Sequence, residues 1–434
     1  MKESDLLFPK GFLWGTATSS HQIEGNSRNN QWWEFEQKPG KILNGDTSDM
    51  ACDHWNKFRE DFAFLPQISQ NAYRMSIEWS RIFPEEGKPD GIAVKRYHEI
   101  FQELRRRGVT IFLTLLHFTV PLWWERQIGF KSKKREHIKH FEDFCEFLAK
   151  EYKNEVDFWG TINEPEVVVL MGFLTGQFPP EEKSLRSFFK ASSVMLRMHA
   201  LAYHAIKRVN PSAQVGIVKN MAVILPAGKS LMGRFFARFG DYIFNGGILR
   251  ALRTGKTLGG LFRRNKLLKG SYDFIGLNYY TFGKVSGGLK IESFEAGFPK
   301  EFLCVGLGWQ PFPEGILLCL RRLNREFPGV PIYVTENGIG TDNDEWRARF
   351  LVAHLTRCWR AIDEGVNLKG YFHWSLLDNF EWRLGYTPRF GLVHVDFATQ
   401  QRLIKDSGKL YGQICKEGKL TKEMLLKYHS DLLG

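Results

Sequence analysis

The chain alternates short apolar runs, rich in strand-favouring residues, with longer stretches whose apolar positions recur at helical spacing. Eight such runs stand out: Phe12–Thr18, Ala72–Trp79, Thr110–Phe118, Phe158–Glu164, Gln214–Val223, Asp273–Tyr280, Ile332–Glu336 and Gly370–Leu377. Between them lie amphipathic segments such as Ala93–Gly108, His137–Tyr152, Leu185–Asn210 and Glu345–Gly365. Several stop at Gly, or at Asn followed by Pro, where helices end. Strand, helix, strand repeated in this way predicts parallel pairing, and eight parallel strands close into a barrel. The expected fold class is α/β, a single (β/α)8 TIM barrel. A doubly wound open sheet is the rival, but it would want a Gly-rich phosphate turn after an early strand, and no G-x-G-x-x-G occurs. No low-complexity linker divides the 434 residues, so one catalytic domain over residues 1–434 is expected.

Composition changes this picture little. At 43% hydrophobic residues, with 13 Trp and 36 Phe, the chain can fill a large core, and flat aromatics also stack on ligands. The net charge of +12 raises the question of nucleic acid or an anionic surface. The densest basic runs, Lys131 to Arg135 and Arg263 to Lys269, lack interleaved aromatics and read as solvated helix faces. No nucleic-acid partner is expected. The six cysteines form no C-x-x-C and no zinc spacing, and read as reduced, mostly buried thiols. The N-terminal stretch lacks a secretory apolar region. The longest apolar stretch, Thr110 to Trp124, is broken by His117 and Pro121 and is too short to span a bilayer. A cytoplasmic protein without a membrane partner is expected, while the oligomeric state is not legible.

Polar residues gather where the predicted strands end, which is where sites of this fold lie. Gln22 and Glu24 follow the first strand. Arg74 lies on the second, which ends near Glu78-Trp79. The third ends at His117, the fourth at Asn163-Glu164, the sixth at Asn278-Tyr279-Tyr280, the seventh at Thr335-Glu336, and the eighth at Trp374, followed by Asp378, Asn379, Glu381 and Trp382. Glu164 and Glu336 belong to strands nearly opposite in an eight-strand ring, so their carboxyl groups can face each other across the mouth. Such a pair suits glycoside hydrolysis, retaining at a separation of about 5–5.5 Å and inverting at about 6.5–9.5 Å. Arg74 beside Glu336 would keep it ionised for attack, and that charge would hold a proton on Glu164 for the leaving oxygen. Asn163 is placed for a sugar 2-hydroxyl and Tyr280 for holding Glu336. Gln22, His117 and Glu381 offer donors and acceptors, and Trp374 and Trp382 a stacking floor. Taken singly, each has a duller reading: a surface charge, a satisfied core histidine, a core tryptophan, a salt-bridge arginine. Their convergence on one rim favours the functional one.

At these residues the chain resembles glycoside hydrolase family 1, the β-glucosidase and β-galactosidase family. The resemblance rests on Phe12 to Gly25 (FLWGTATSSHQIEG), Thr161-Ile162-Asn163-Glu164-Pro165, Tyr333-Val334-Thr335-Glu336-Asn337-Gly338, and His373 to Trp382 (HWSLLDNFEW). It implies retaining hydrolysis of β-glucosides and related galactosides and fucosides, with Glu164 as acid/base and Glu336 as nucleophile. It implies glycone binding by Gln22, His117, Asn163, Glu381 and Trp382, nucleophile support by Arg74, Asn278 and Tyr280, and a floor at Trp374. Neither metal nor organic cofactor is implied, and the expected partner is a small β-glycoside or short oligosaccharide.

The chain departs from the family pattern at His117-Phe118, where His-Trp is usual, and at Gly308-Trp309-Gln310, where Gly-Trp-Glu is usual. Phe lacks the indole donor, which bears on sugar preference. Rival functions fit less well. A non-catalytic relative would lack one carboxylate and a thioglucosidase would carry Gln for Glu164. A 6-phospho-glycosidase would carry Ser, Lys and Tyr where Glu381-Trp382-Arg383 stand.

Overall fold

A computed structural model describes residues 4–127, 129–257, 265–285 and 291–433. Among these, eight strands pair in parallel: β1 (Leu13–Ala17), β2 (Ala72–Ser76), β3 (Thr110–Leu116), β4 (Phe158–Asn163), β5 (Gln214–Pro226), β6 (Phe274–Val285), β7 (Ile332–Asn337) and β8 (Leu368–Trp374). Each pairs with the next in sequence, and β8 returns to β1, so the sheet closes. The expected (β/α)8 barrel is the observed one. All eight apolar runs coincide with its strands. The anticipated helices lie at Gly91–Arg106, Arg135–Tyr152, Leu185–Val209 and Asp344–Asp363, each within two residues of its expected start and end.

Alternation along a strand decides what fills the barrel. On β6, Phe274, Gly276, Asn278 and Tyr280 share one side. Phe274 meets Phe112 of β3 at a ring distance of 5.1 Å and Tyr333 of β7 at 5.6 Å. Phe372 of β8 joins them, 5.7 Å from Phe112. These rings plug the barrel at one end and leave the positions toward the C-terminal strand ends to polar side chains. The other strand face packs under the helices in the larger of two hydrophobic clusters. The six cysteines are free and buried. In the first basic run Lys131 pairs with Glu182, and residues 133–135 are exposed. In the second, Arg263 and Arg264 lie outside the described residues. No helix among the described residues is long and apolar enough to cross a membrane.

Candidate active site

Two irregularities in the sheet aim the carboxylates. Between Gly160 and Asn163, β4 carries one more residue than β5 opposite it. Between Val334 and Asn337, β7 carries one more than β8, and it carries one more than β6 between Val334 and Glu336. Such bulges re-aim the side chains that follow, and here they immediately precede Glu164 and Glu336. Glu164 itself adopts the left-handed conformation (φ 45°, ψ 59°) just before Pro165 opens a short helix. Phe118 and Trp382 also have positive φ. Non-glycine residues in this region cost free energy and cluster at functional sites. The strand after Glu336 needs Gly338, because a Cβ there would stand 1.8 Å from the Trp374 carbonyl oxygen.

Glu164 and Glu336 open into one cavity of about 860 Å³, which Gln22, His117, Asn163, Tyr280, Trp374, Glu381 and Trp382 also line. Arg74, wholly buried beneath it, donates from Nη1 to Glu336 Oε1 at 2.6 Å and from Nη2 to Asn163 Oδ1 at 2.6 Å. Tyr280 donates its hydroxyl to Glu336 Oε2. Burial, reinforced by the Glu336 charge, holds the Tyr280 phenol well above its ordinary range, so it remains a donor. Asn278 donates to Glu164 Oε1 at 2.8 Å and to Asn163 Oδ1 at 3.1 Å, and accepts from Thr335. Its side chain therefore bonds Glu164 directly, and the Glu336 strand through Thr335. Support for the nucleophile was expected of Asn278, and the hydrogen bonds of its side chain go to Glu164, Asn163 and Thr335.

The two carboxyl groups sit in different surroundings. Burial raises the Glu164 pKa well above the ordinary carboxylate range, and the charges of Glu336 and Glu166 add to the rise. Burial also pushes Glu381 up to about 8, again with the Glu336 charge contributing. Gln22 fixes Glu381 at 3.2 Å and the Phe380 carbonyl at 2.8 Å. His117 is kept neutral by burial and by Arg74. Its Nε2 faces the Asn163 amide nitrogen at 3.2 Å, while Nδ1, buried, has no protein partner. Nε2 is then the acceptor and Nδ1 the free donor. Trp382 packs between His21 at 5.6 Å and His117 at 6.2 Å, with rings nearly parallel to both.

Other strand-end residues do not join this site. Glu24 is held by Arg81 at 2.8 Å and by the Tyr97 hydroxyl. Glu78 accepts from Ser20, Ser80 and Thr119. Asp378 accepts from Lys405 and the Gly391 amide. These carboxylates brace the loops around the barrel mouth. Conversely, Asn220 of β5 was not anticipated. It donates to Glu164 Oε1 at 3.0 Å and lines the cavity. The signal was Lys219-Asn220, two polar residues inside an apolar run. Lys219 is buried with Glu166 at 3.1 Å, and Glu166 in turn accepts from the Asn220 backbone. Among the described residues no cluster of His, Cys, Asp and Glu forms a metal site.

Comparison with known proteins agrees with this geometry. A model of glycosyl hydrolase family 1 matches residues 4–420. The chain is 36% identical to a 1,4-beta-D-glucan glucohydrolase of Thermotoga neapolitana, over 95% of this chain and 99% of that one. It is equally 36% identical to Beta-glucosidase A of Thermotoga maritima, over 95% and 98%. Among solved structures, a beta-glycosidase from Pyrococcus horikoshii superposes with a TM-score of 0.90 at 39% identity, over 99% of this chain and 100% of that one. A family 1 b-glucosidase from Thermotoga maritima gives a TM-score of 0.91 at 34% identity, over 97% and 100%, and it has been solved with isofagomine lactam and with deoxynojirimycin. With its motifs set at the ends of these strands and the match running nearly end to end, the chain belongs to glycosyl hydrolase family 1.

Proposed function

We propose that the chain is a retaining exo-β-glycosidase that hydrolyses β-D-glucosides and related β-galactosides and β-fucosides. The observation that carries this reading is the unequal setting of two carboxyl groups in one cavity: Glu336 ion-paired with Arg74, Glu164 with its proton affinity raised. Glu336 attacks the anomeric carbon as nucleophile. The glycosidic C–O bond breaks, and Glu164 gives its proton to the departing oxygen. In the glycosyl-enzyme the Glu336 charge is gone, and with it one cause of the raised Glu164 pKa. Glu164 then takes a proton from water, whose oxygen bonds the anomeric carbon and releases Glu336.

Gln22, His117, Asn163 and Glu381 serve the sugar hydroxyls, and Trp374 and Trp382 its C–H faces. Arg74 and Tyr280 support Glu336, while Asn278 and Asn220 hold Glu164. A 6-phosphate is disfavoured, because the cations lining the cavity are engaged: Lys41 with Glu181, Arg383 with the Lys41 carbonyl. The reaction needs only the two carboxyl groups and water. The substrate is a small β-glycoside or short oligosaccharide. The whole chain works as one catalytic domain, and the six free thiols suit the cytoplasm.

Rates on a panel of nitrophenyl glycosides, with product configuration followed by NMR, test the proposal. Glu336→Ala should abolish turnover of a folded protein. Glu164→Ala should chiefly slow substrates with poor leaving groups, and azide should rescue it as the β-glycosyl azide. An α-configured first product, or full activity of Glu164→Ala on oligosaccharides, overturns the assignment.

A further inference from the structure

The helix Leu231–Asp241, which follows β5, presents its apolar residues to solvent. Leu231 is 83% exposed, Met232 62% and Phe235 61%, and Phe239 and Tyr242 are exposed as well. At about 100° per residue these five positions fall within one arc of about 100°. The buried side carries small residues, Gly233 and Ala237. It seats on the ends of β5 and β6, which stay paired as far as Pro226 and Val285. Gly240 lies against them, since a Cβ there would come 3.6 Å from Ile224 and 3.8 Å from Val285. A helix facing water has the opposite arrangement.

Three cations border the apolar arc. Arg234 and Arg238 lie on the helix and Lys229 just before it. All are exposed, and no ion pair engages them among the described residues. The one acid of the helix, Asp241, is taken by Arg322 at 2.6 Å and Asn245 at 2.8 Å. Ile291 and Phe294 are exposed as well, on and just after a short strand that pairs with the same end of β6. Phe244, three residues past the end of this helix, lines the active-site cavity together with Asn220, which puts that end of the helix toward the cavity rim.

A second copy of the chain is a poor occupant. A two-fold contact through this face would set Arg234 and Arg238 of both copies together without acids to match, in a protein of net charge +12. A surface with negative headgroups above an acyl layer matches both the apolar arc and its basic border. We propose that the helix Leu231–Asp241 docks on an anionic lipid bilayer, lying in its surface with the rim of the active-site cavity turned toward the membrane. The sequence points to no membrane partner because its densest basic runs read as solvated helix faces and no apolar stretch is long enough to span, and an 11-residue helix with two arginines falls in neither class. The proposal goes beyond the catalytic reading and does not depend on it, since its test reads binding.

The full chain is sedimented with vesicles of phosphatidylcholine alone or with about 30% phosphatidylglycerol. Wild type should pellet with the anionic vesicles at low salt and be released at about 0.5 M salt, where charges are screened. The variant Leu231→Ser/Met232→Ser/Phe235→Ser should lose binding tenfold or more, and Arg234→Gln/Arg238→Gln severalfold. Both should keep the wild-type circular dichroism and the wild-type rate on a soluble aryl β-glucoside. Wild type remaining in the supernatant overturns the proposal, as does undiminished binding by the triple variant. So does a dimer, seen by analytical ultracentrifugation, that the triple variant dissolves, which would give this face to a second copy.

Discussion

Asn278 donates a hydrogen bond of 2.8 Å to Oε1 of Glu164. The bond favours the ionised carboxyl and so opposes the burial that raises the Glu164 pKa. Asn278→Ala removes it, and the Glu164 pKa rises further. As the proposed acid, Glu164 must be protonated in the free enzyme, so the alkaline limb of the kcat/KM profile should move to higher pH. The loss of one such bond, about 1.4 kcal/mol, corresponds to about tenfold in kcat/KM. A merely structural role would lower the profile without moving its alkaline limb.

Glu381 makes a second pH-dependent prediction, for stability. Its carboxyl titrates at about 8 in the folded chain and at about 4.3 when unfolded. The unfolded chain loses this proton first as pH rises. Stability from this group is therefore complete below about pH 4 and is lost as pH rises toward 8. Glu381→Gln stays neutral and escapes the loss. The melting temperature of the variant, relative to wild type, should climb from pH 5 to about pH 8 and level off above it. A constant offset across that range would show that the wild-type carboxyl titrates normally.

Gly338 makes a steric prediction. A methyl group at this position meets the Trp374 carbonyl oxygen at 1.8 Å, and a backbone atom cannot turn aside. Gly338→Ala should force β7 and β8 apart, costing about 3 kcal/mol or more of stability. Glu336, two residues away, should shift with the strand and lower kcat/KM by about 100-fold. Gly91→Ala is the control. Its Cβ meets nothing within 4 Å at the first position of a helix, so that substitution should be neutral. Equal behaviour of the two variants would refute the argument.

Much of the site was legible because period and punctuation are local. The alternation Phe274, Gly276, Asn278, Tyr280 announces a strand whose inner face turns from apolar to polar, and the structure puts the rings below and the polar groups at the mouth. The motifs around Glu164 and Glu336 stood out in the same way. Asn220 did not, because its weight comes from a contact with Glu164, 56 positions away along the chain. The inversion of the helix Leu231–Asp241 also escaped notice, since periodicity identifies an apolar face without saying whether protein covers it.

The order of apolar runs and the residue types at their ends were enough to specify a closed parallel barrel and the pair of acids at its mouth, because eight strands buried on both faces have few ways to close. The sequence already paired Arg74 with Glu336 and put the proton on Glu164, but the bonds that Asn220 and Asn278 make to Glu164, and which of the neighbouring acids merely brace the loops, were decided only in three dimensions. Two bulges turn Glu164 and Glu336 into the cavity, and burial together with the charges brought near it raises the proton affinity of Glu164. Those are distances across the barrel, and spacing along the chain does not encode them.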